Sequence, residues 1–77
     1  MYELPEGLLD DVKNYLDITW EDEATDRKLA GIVAGGMDYL DDKAGERLDY
    51  TQPGYGRSLL MDYARYARDG AMDVFEN

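Results

Sequence analysis

The sequence contains no cysteine and no histidine. Without cysteine the chain can form neither a disulfide nor a thiolate metal site, which excludes the disulfide-stapled class of small secreted proteins. Without histidine there is no Ser-His-Asp triad, no imidazole acid–base catalyst and no histidine-ligated zinc. Carboxylates are abundant, but no nucleophile or electrophile accompanies them. We therefore expect no enzyme, no catalytic residue, no cofactor and no metal site.

Basic residues are also scarce, since 8 Lys and Arg face 18 Asp and Glu, for a net charge of −10. Residues 1–49 hold 14 acids and 5 bases, a charge of −9, and residues 50–77 hold 4 acids and 3 bases, a charge of −1. Binding to nucleic acid by counterion release needs clustered Lys and Arg, so this chain should repel DNA at close range. That repulsion is either incidental to solubility or useful in itself.

Long apolar runs are absent as well. No stretch approaches the roughly 18 apolar residues that span a bilayer, and the first twenty residues lack the basic start and apolar run of a signal peptide. We therefore expect a soluble intracellular protein without a membrane partner. A chain of 77 residues forms one small domain with a small core, so oligomerisation is a reasonable expectation.

Apolar residues recur at helical spacing in three segments, which predicts helices at about residues 6–17, 21–44 and 58–75. Residues 46–56 carry one proline and two glycines and are predicted to form a loop. The expected fold is all-α, a small three-helix bundle with a loop before the third helix. The apolar stripe of the second helix consists of Leu29, Ile32, Val33, Gly36, Met37 and Leu40, and that of the third helix of Leu59, Leu60, Tyr63, Ala67, Ala71 and Val74.

Residues at the helix ends support these boundaries. Thr19 with Asp22 three residues later is typical of a capping pair, and acids at 21–23 favour the positive end of a helix. Gly45 is a suitable stop for the second helix, and Ser58 is a candidate cap for the third.

Two metal-site hypotheses fail on spacing. Read as a calcium loop from Asp17, the sequence has Asp22 where a sharp turn needs glycine and Lys28 where a bidentate Glu belongs. Asp38 and Asp42 are one helical turn apart, but no third ligand accompanies them as a magnesium site.

Two features of the second helix and its lead-in have an ordinary and a functional interpretation. Trp20 is either a staple or lid on the core or the anchor of an interface. Gly31 and Gly35 share a helix face with Asp38 and Asp42, away from the apolar stripe. The absence of a side chain at these two glycines either has no structural consequence or permits close approach of another subunit.

The third helix gathers arginines and tyrosines, which are favoured at interfaces. It is either a half-solvated face or a patch that docks on the acidic first half of the next copy, a head-to-tail contact that closes into a ring if its rotation permits. We predict subunit contacts at Trp20, Gly31, Gly35, Met61, Arg65, Tyr66, Arg68 and Met72.

A set of short patterns, in this order and spacing, is similar to a known family. They are L-x-x-V-K-x-Y-L at 9–16, I-T-W-x-D-E-x-T-D-x-K-L at 18–29, G-M-x-Y-L at 36–40, A-G at 44–45 and D-Y-x-R-Y at 62–66. Together they resemble the small head–tail connector proteins of tailed bacteriophages, the head-completion, adaptor or DNA-packaging proteins of siphophages and prophages of Gram-positive bacteria. The resemblance spans nearly the whole chain, although each piece alone is also ordinary helix sequence.

The resemblance implies an all-α subunit of a homo-oligomeric ring, dodecameric in the virion, that assembles in the host cytoplasm. Such a ring lies beneath the portal protein, extends the DNA exit channel and presents a surface to the next connector or tail component. DNA passes through without specific binding, which suits an acidic lumen. Our candidates for channel-facing acids are Glu21, Asp22, Glu23, Asp38 and Asp42.

Two alternatives stay open at this point. One is a monomeric acidic regulator that mimics DNA and occupies a nucleic-acid-binding protein. The other is a small helical adaptor that binds a partner through Trp20 or the third helix.

Overall fold

The computed structural model describes residues 4–72. They form three α-helices, α1 (Leu8–Tyr15), α2 (Glu23–Ala44) and α3 (Tyr55–Arg68), and no strand within that range. The helices pack around one apolar core, which confirms the predicted all-α three-helix bundle. None of the helices in the described range is long and apolar enough to cross a membrane.

The ends of α2 follow from local hydrogen bonds. Asp22 itself is the N-cap, because its carboxylate accepts hydrogen bonds from the Thr25 N–H at 3.1 Å and the Thr25 hydroxyl at 2.6 Å. These two bonds lower the pKa of the Asp22 carboxyl. The predicted capping role of Thr19 is therefore wrong. Gly45 ends α2 as predicted, since its φ of 74° lets the N–H groups of Gly45 and Glu46 both reach the Asp41 carbonyl.

The predicted bounds of the third helix need correction at both ends. α3 begins at Tyr55 because the Gly54 carbonyl already accepts the Ser58 N–H at 3.0 Å, so Ser58 lies inside the first turn and does not cap it. The helix ends at Arg68, and Gly70 follows with a left-handed φ of 72° that a continuing α-helix cannot contain. The last part of the predicted helix, with Val74, lies outside the described residues.

The core contains side chains from all three helices and from both connections. Its buried apolar members are Leu8, Val12, Leu16, Ile18, Leu29, Val33, Leu40, Tyr50, Leu60, Met61 and Ala64. α3 packs mainly on α2 and also contacts α1, and its buried residues Leu60, Met61 and Ala64 form the apolar face that points into the core.

α3 packs closely on α2 at Gly36. A Cβ atom added there would lie 2.7 Å from Tyr63 Cδ1 and 3.0 Å from Leu60 Cδ1. The absent side chain thus lets α3 pack directly on the α2 backbone.

Polar contacts fix α1 against its neighbours. Arg57 on α3 binds Asp11 at 2.8 Å, and the Tyr15 hydroxyl donates to Asp62 at 3.0 Å. Lys13, largely buried, places its ammonium 2.9 Å from Asp26 on α2. The Asp26 carboxylate beside it raises the pKa of that ammonium, so Lys13 stays charged where its stem is packed.

The loop before α3 is held to α2 by one carboxylate. Asp41 accepts hydrogen bonds from the Tyr50 hydroxyl at 2.6 Å and the Leu48 N–H at 3.0 Å, and Tyr50 is buried. The same hydroxyl lies 3.2 Å from the Met37 carbonyl. Burial, reinforced by the hydrogen bond to Asp41, raises the pKa of Tyr50 far above its ordinary value.

Candidate assembly surfaces

The outward face of α2 carries two acids whose charge no neighbouring base neutralises. Asp38 and Asp42 are exposed, and neither forms an ion pair with another described residue. They lie one turn apart, on the side opposite the buried Val33 and Leu40. This part of the α2 surface therefore presents two carboxylates that form no ion pair in the described range.

A second group of exposed acids precedes α2. Asp22 is occupied as the N-cap, and Glu23 pairs with Arg27 at 2.9 Å. Both partners in that pair are mostly solvent-exposed, so the pair contributes little. Glu21 has no ion-pair partner among the described residues. All five acids that were predicted to face the channel thus lie on the surface of the subunit.

The glycines on the outer face of α2 differ from Gly36. Gly35 is exposed and Gly31 half-buried, and a Cβ at Gly35 would meet only the Tyr63 hydroxyl at 3.9 Å. Within one chain the close helix approach is at Gly36. A contact of Gly31 and Gly35 with another subunit stays a prediction.

Trp20 lies on the surface between α1 and α2. Its side chain is 56% exposed, whereas a lid on the core would be mostly buried. The interpretation of Trp20 as a lid is therefore wrong, and the core closes without it. Among large exposed apolar side chains, Trp20 is accompanied by Tyr15 and Tyr55.

The residues of the third helix that were predicted to form subunit contacts lie in different environments. Met61 is buried in the core, so its predicted contact with another subunit is wrong. Arg68 donates to the Leu16 carbonyl at 3.1 Å and to Asp69 at 3.3 Å, so it fixes the end of α1. Arg65 is exposed, and its guanidinium carbon lies 5.1 Å from the ring centroid of the half-buried Tyr66. Met72 is half-buried.

A small groove near Trp20 was not foreseen from the sequence. It has a volume of about 180 Å³ and is lined by Ile18, Thr25, Lys28, Leu29, Ile32 and Arg68. These residues come from the α1–α2 connection, the first half of α2 and the end of α3. Because three separate segments build the groove, no local spacing in the sequence indicates it.

The acids do not form a cation site in the described part of the chain. No group of three or more carboxylates between residues 4 and 72 is arranged to hold a metal ion.

Comparison of the chain with family models, with curated proteins and with solved structures finds no match. The connector resemblance consequently rests on the residue pattern of the sequence.

Proposed function

We propose that this chain is a structural subunit of a bacteriophage head–tail connector, a homo-oligomeric ring beneath the portal that extends the DNA exit channel. The observation that carries the proposal is the outward face of α2, where Asp38 and Asp42 are exposed and have no ion pair within the described range. Repeated around a ring, this face would give a negatively charged wall. The sequence resemblance and the all-α bundle support the same assignment.

The mechanism is electrostatic and needs no chemistry. At physiological salt, charges repel appreciably within a Debye length of about 8 Å, so an acidic lumen keeps the phosphate backbone from adhering during passage. A single subunit contributes little, but a ring sums the field of all its copies. DNA then moves through without specific binding.

The predicted subunit contacts are compatible with this wall. Gly31 and Gly35 precede Asp38 on the same helix face by about two turns and one turn. A neighbouring subunit that packs against Gly31 and Gly35 would leave Asp38 and Asp42, further along α2, uncovered. The ends of the ring would contact the portal protein on one side and the next connector or tail component on the other, in a virion assembled in the host cytoplasm.

Charge reversal combined with DNA topology tests the channel wall. We expect the assembled Asp38→Lys/Asp42→Lys variant to bind linear duplex DNA at low salt, weakening steeply as salt rises. Covalently closed circular DNA of the same sequence cannot enter a preformed closed ring, so it should stay unbound in a gel-shift titration.

The matched control is Glu6→Lys/Asp10→Lys, which reverses two exposed acids at the same spacing near the start of α1. This control should show no preference for linear over circular DNA. Equal binding of circular and linear DNA by the α2 variant, or no binding of either, would show that this face does not line a channel.

A further inference from the structure

Trp20 is a large apolar side chain that its own bundle covers only in part. It is 56% exposed and is followed by Glu21, Asp22 and Glu23, all on the surface. Trp is enriched among the residues that dominate binding at protein interfaces. The segment from Trp20 to Glu23 is therefore an aromatic anchor with a negatively charged border.

The groove described above has the complementary chemistry. Ile18, Leu29 and Ile32 give it an apolar floor, and Lys28 and Arg68 stand at its margin. Its volume of about 180 Å³ is below the roughly 300 Å³ at which small-molecule pockets begin. That size favours a single inserted side chain over a metabolite.

Of the two cations at the groove, Lys28 is available to pair with an acid of a partner, whereas Arg68 already forms an ion pair with Asp69. Lys28 is exposed and forms no ion pair with any residue the structure describes. Arg68 is held by the Leu16 carbonyl, which presents its guanidinium in a fixed position, and a fixed guanidinium can also stack on an indole ring. An acid-flanked aromatic residue fits this groove by shape and by sign of charge.

We infer that this groove receives Trp20 of a second copy of the chain, with Glu21 of that copy facing Lys28. The inference rests on the proposed function and names the contact that would join neighbouring subunits. The chain itself carries the segment that the groove requires, so no foreign partner is needed. The groove residues Ile18 and Thr25 flank the anchor segment along the chain, and Thr25 donates hydrogen bonds to Asp22, so anchor and groove are neighbouring surfaces of the bundle. The contact closes into a ring if the rotation between successive copies permits.

The sole tryptophan makes the contact directly measurable, since Trp20 is the only one in the sequence. We expect its fluorescence emission to shift to shorter wavelength as concentration drives assembly, in parallel with sedimentation of the same samples. Trp20→Ala should weaken association by about 30-fold or more, which corresponds to roughly 2 kcal/mol at 1.4 kcal/mol per tenfold. Its helical circular dichroism should stay unchanged. Tyr55→Ala, which truncates another exposed aromatic, should associate as the parent does.

A charge exchange separates the contact from a general loss of stability. Lys28→Glu and Glu21→Lys should each weaken association by about tenfold, and combining the two should recover most of it, because the opposite charges are restored across the interface.

The possible outcomes separate this contact from the ring. Assembly into a ring with unchanged Trp20 emission, or with Trp20→Ala assembling as the parent does, overturns the contact and leaves the ring standing. A discrete dimer with buried Trp20 supports the contact and overturns the ring. A strict monomer at every concentration overturns both.

Discussion

Gly36→Ala is expected to destabilise the bundle by about 1–3 kcal/mol, the usual cost of inserting a methyl group into a packed site. Alanine is intrinsically the better helix former by roughly 1 kcal/mol, so the sign of the effect identifies steric conflict as its cause. The new Cβ would lie 2.7 Å from Tyr63 Cδ1 and 3.0 Å from Tyr63 Cε1. The Tyr63 ring is half-buried and its centroid lies 5.6 Å from that of Tyr39, so displacing it disturbs this contact. Urea unfolding followed by circular dichroism measures the difference.

Gly35→Ala is the matched control for this substitution. It adds the same methyl group to the same helix, but the nearest atom of another residue would be the Tyr63 hydroxyl at 3.9 Å, an ordinary contact. We expect Gly35→Ala to stabilise the chain, by up to roughly 1 kcal/mol. If both variants were stabilised alike, α2 and α3 would not approach each other at Gly36 as the structure describes.

Asp41→Ala is expected to cost about 1.5–3 kcal/mol, because hydrogen bonds to a charged acceptor contribute more than neutral ones. The substitution removes the acceptor of both the Tyr50 hydroxyl and the Leu48 N–H. Asp38→Ala, at an exposed acid of the same helix, should change stability by no more than about 0.5 kcal/mol. Equal effects at the two positions would contradict the anchoring role of Asp41.

The pH dependence of stability provides a second readout of the Asp41–Tyr50 contact. The folded-state pKa of Tyr50 is raised by burial and by the hydrogen bond to Asp41, so the protonated phenol is favoured in the native state. Its stabilising contribution is complete below the unfolded pKa of about 10 and is lost as pH rises above that value. Asp41→Ala should therefore show a shallower alkaline loss than the parent. The pKa of Tyr15 is also raised, by its hydrogen bond to Asp62, so some alkaline loss should persist in the variant.

Much of the fold could be read from the sequence because apolar spacing and helix ends are local signals. The stripe of α2 from Leu29 to Leu40 and the stop at Gly45 were predictable in this way. The start of α3 was not, since Gly54 offers no side-chain cap and Ser58 resembles one. The burial of Met61 was missed because Met61 lies beside the predicted apolar stripe of α3, and a single-helix projection does not show how far neighbouring helices cover that edge.

The candidate surfaces also include features that local sequence predicts and features that depend on tertiary packing. That Asp38 and Asp42 are exposed follows from the general cost of burying a carboxylate. Asp41, in the same acidic run, instead anchors the loop through Tyr50, a residue nine positions later in a segment without regular periodicity. The groove beside Trp20 exists only after three distant segments have packed together. Long-range packing therefore determines what local spacing cannot.

Native mass spectrometry of the intact chain tests most directly whether identical bundles join into a closed ring. We predict one dominant assembly of a single copy number, a dodecamer, in equilibrium with monomer on dilution. A closed ring has no free contact, so species larger than this assembly should not accumulate. A strict monomer at every concentration, or an open-ended ladder of increasing sizes, would contradict the account.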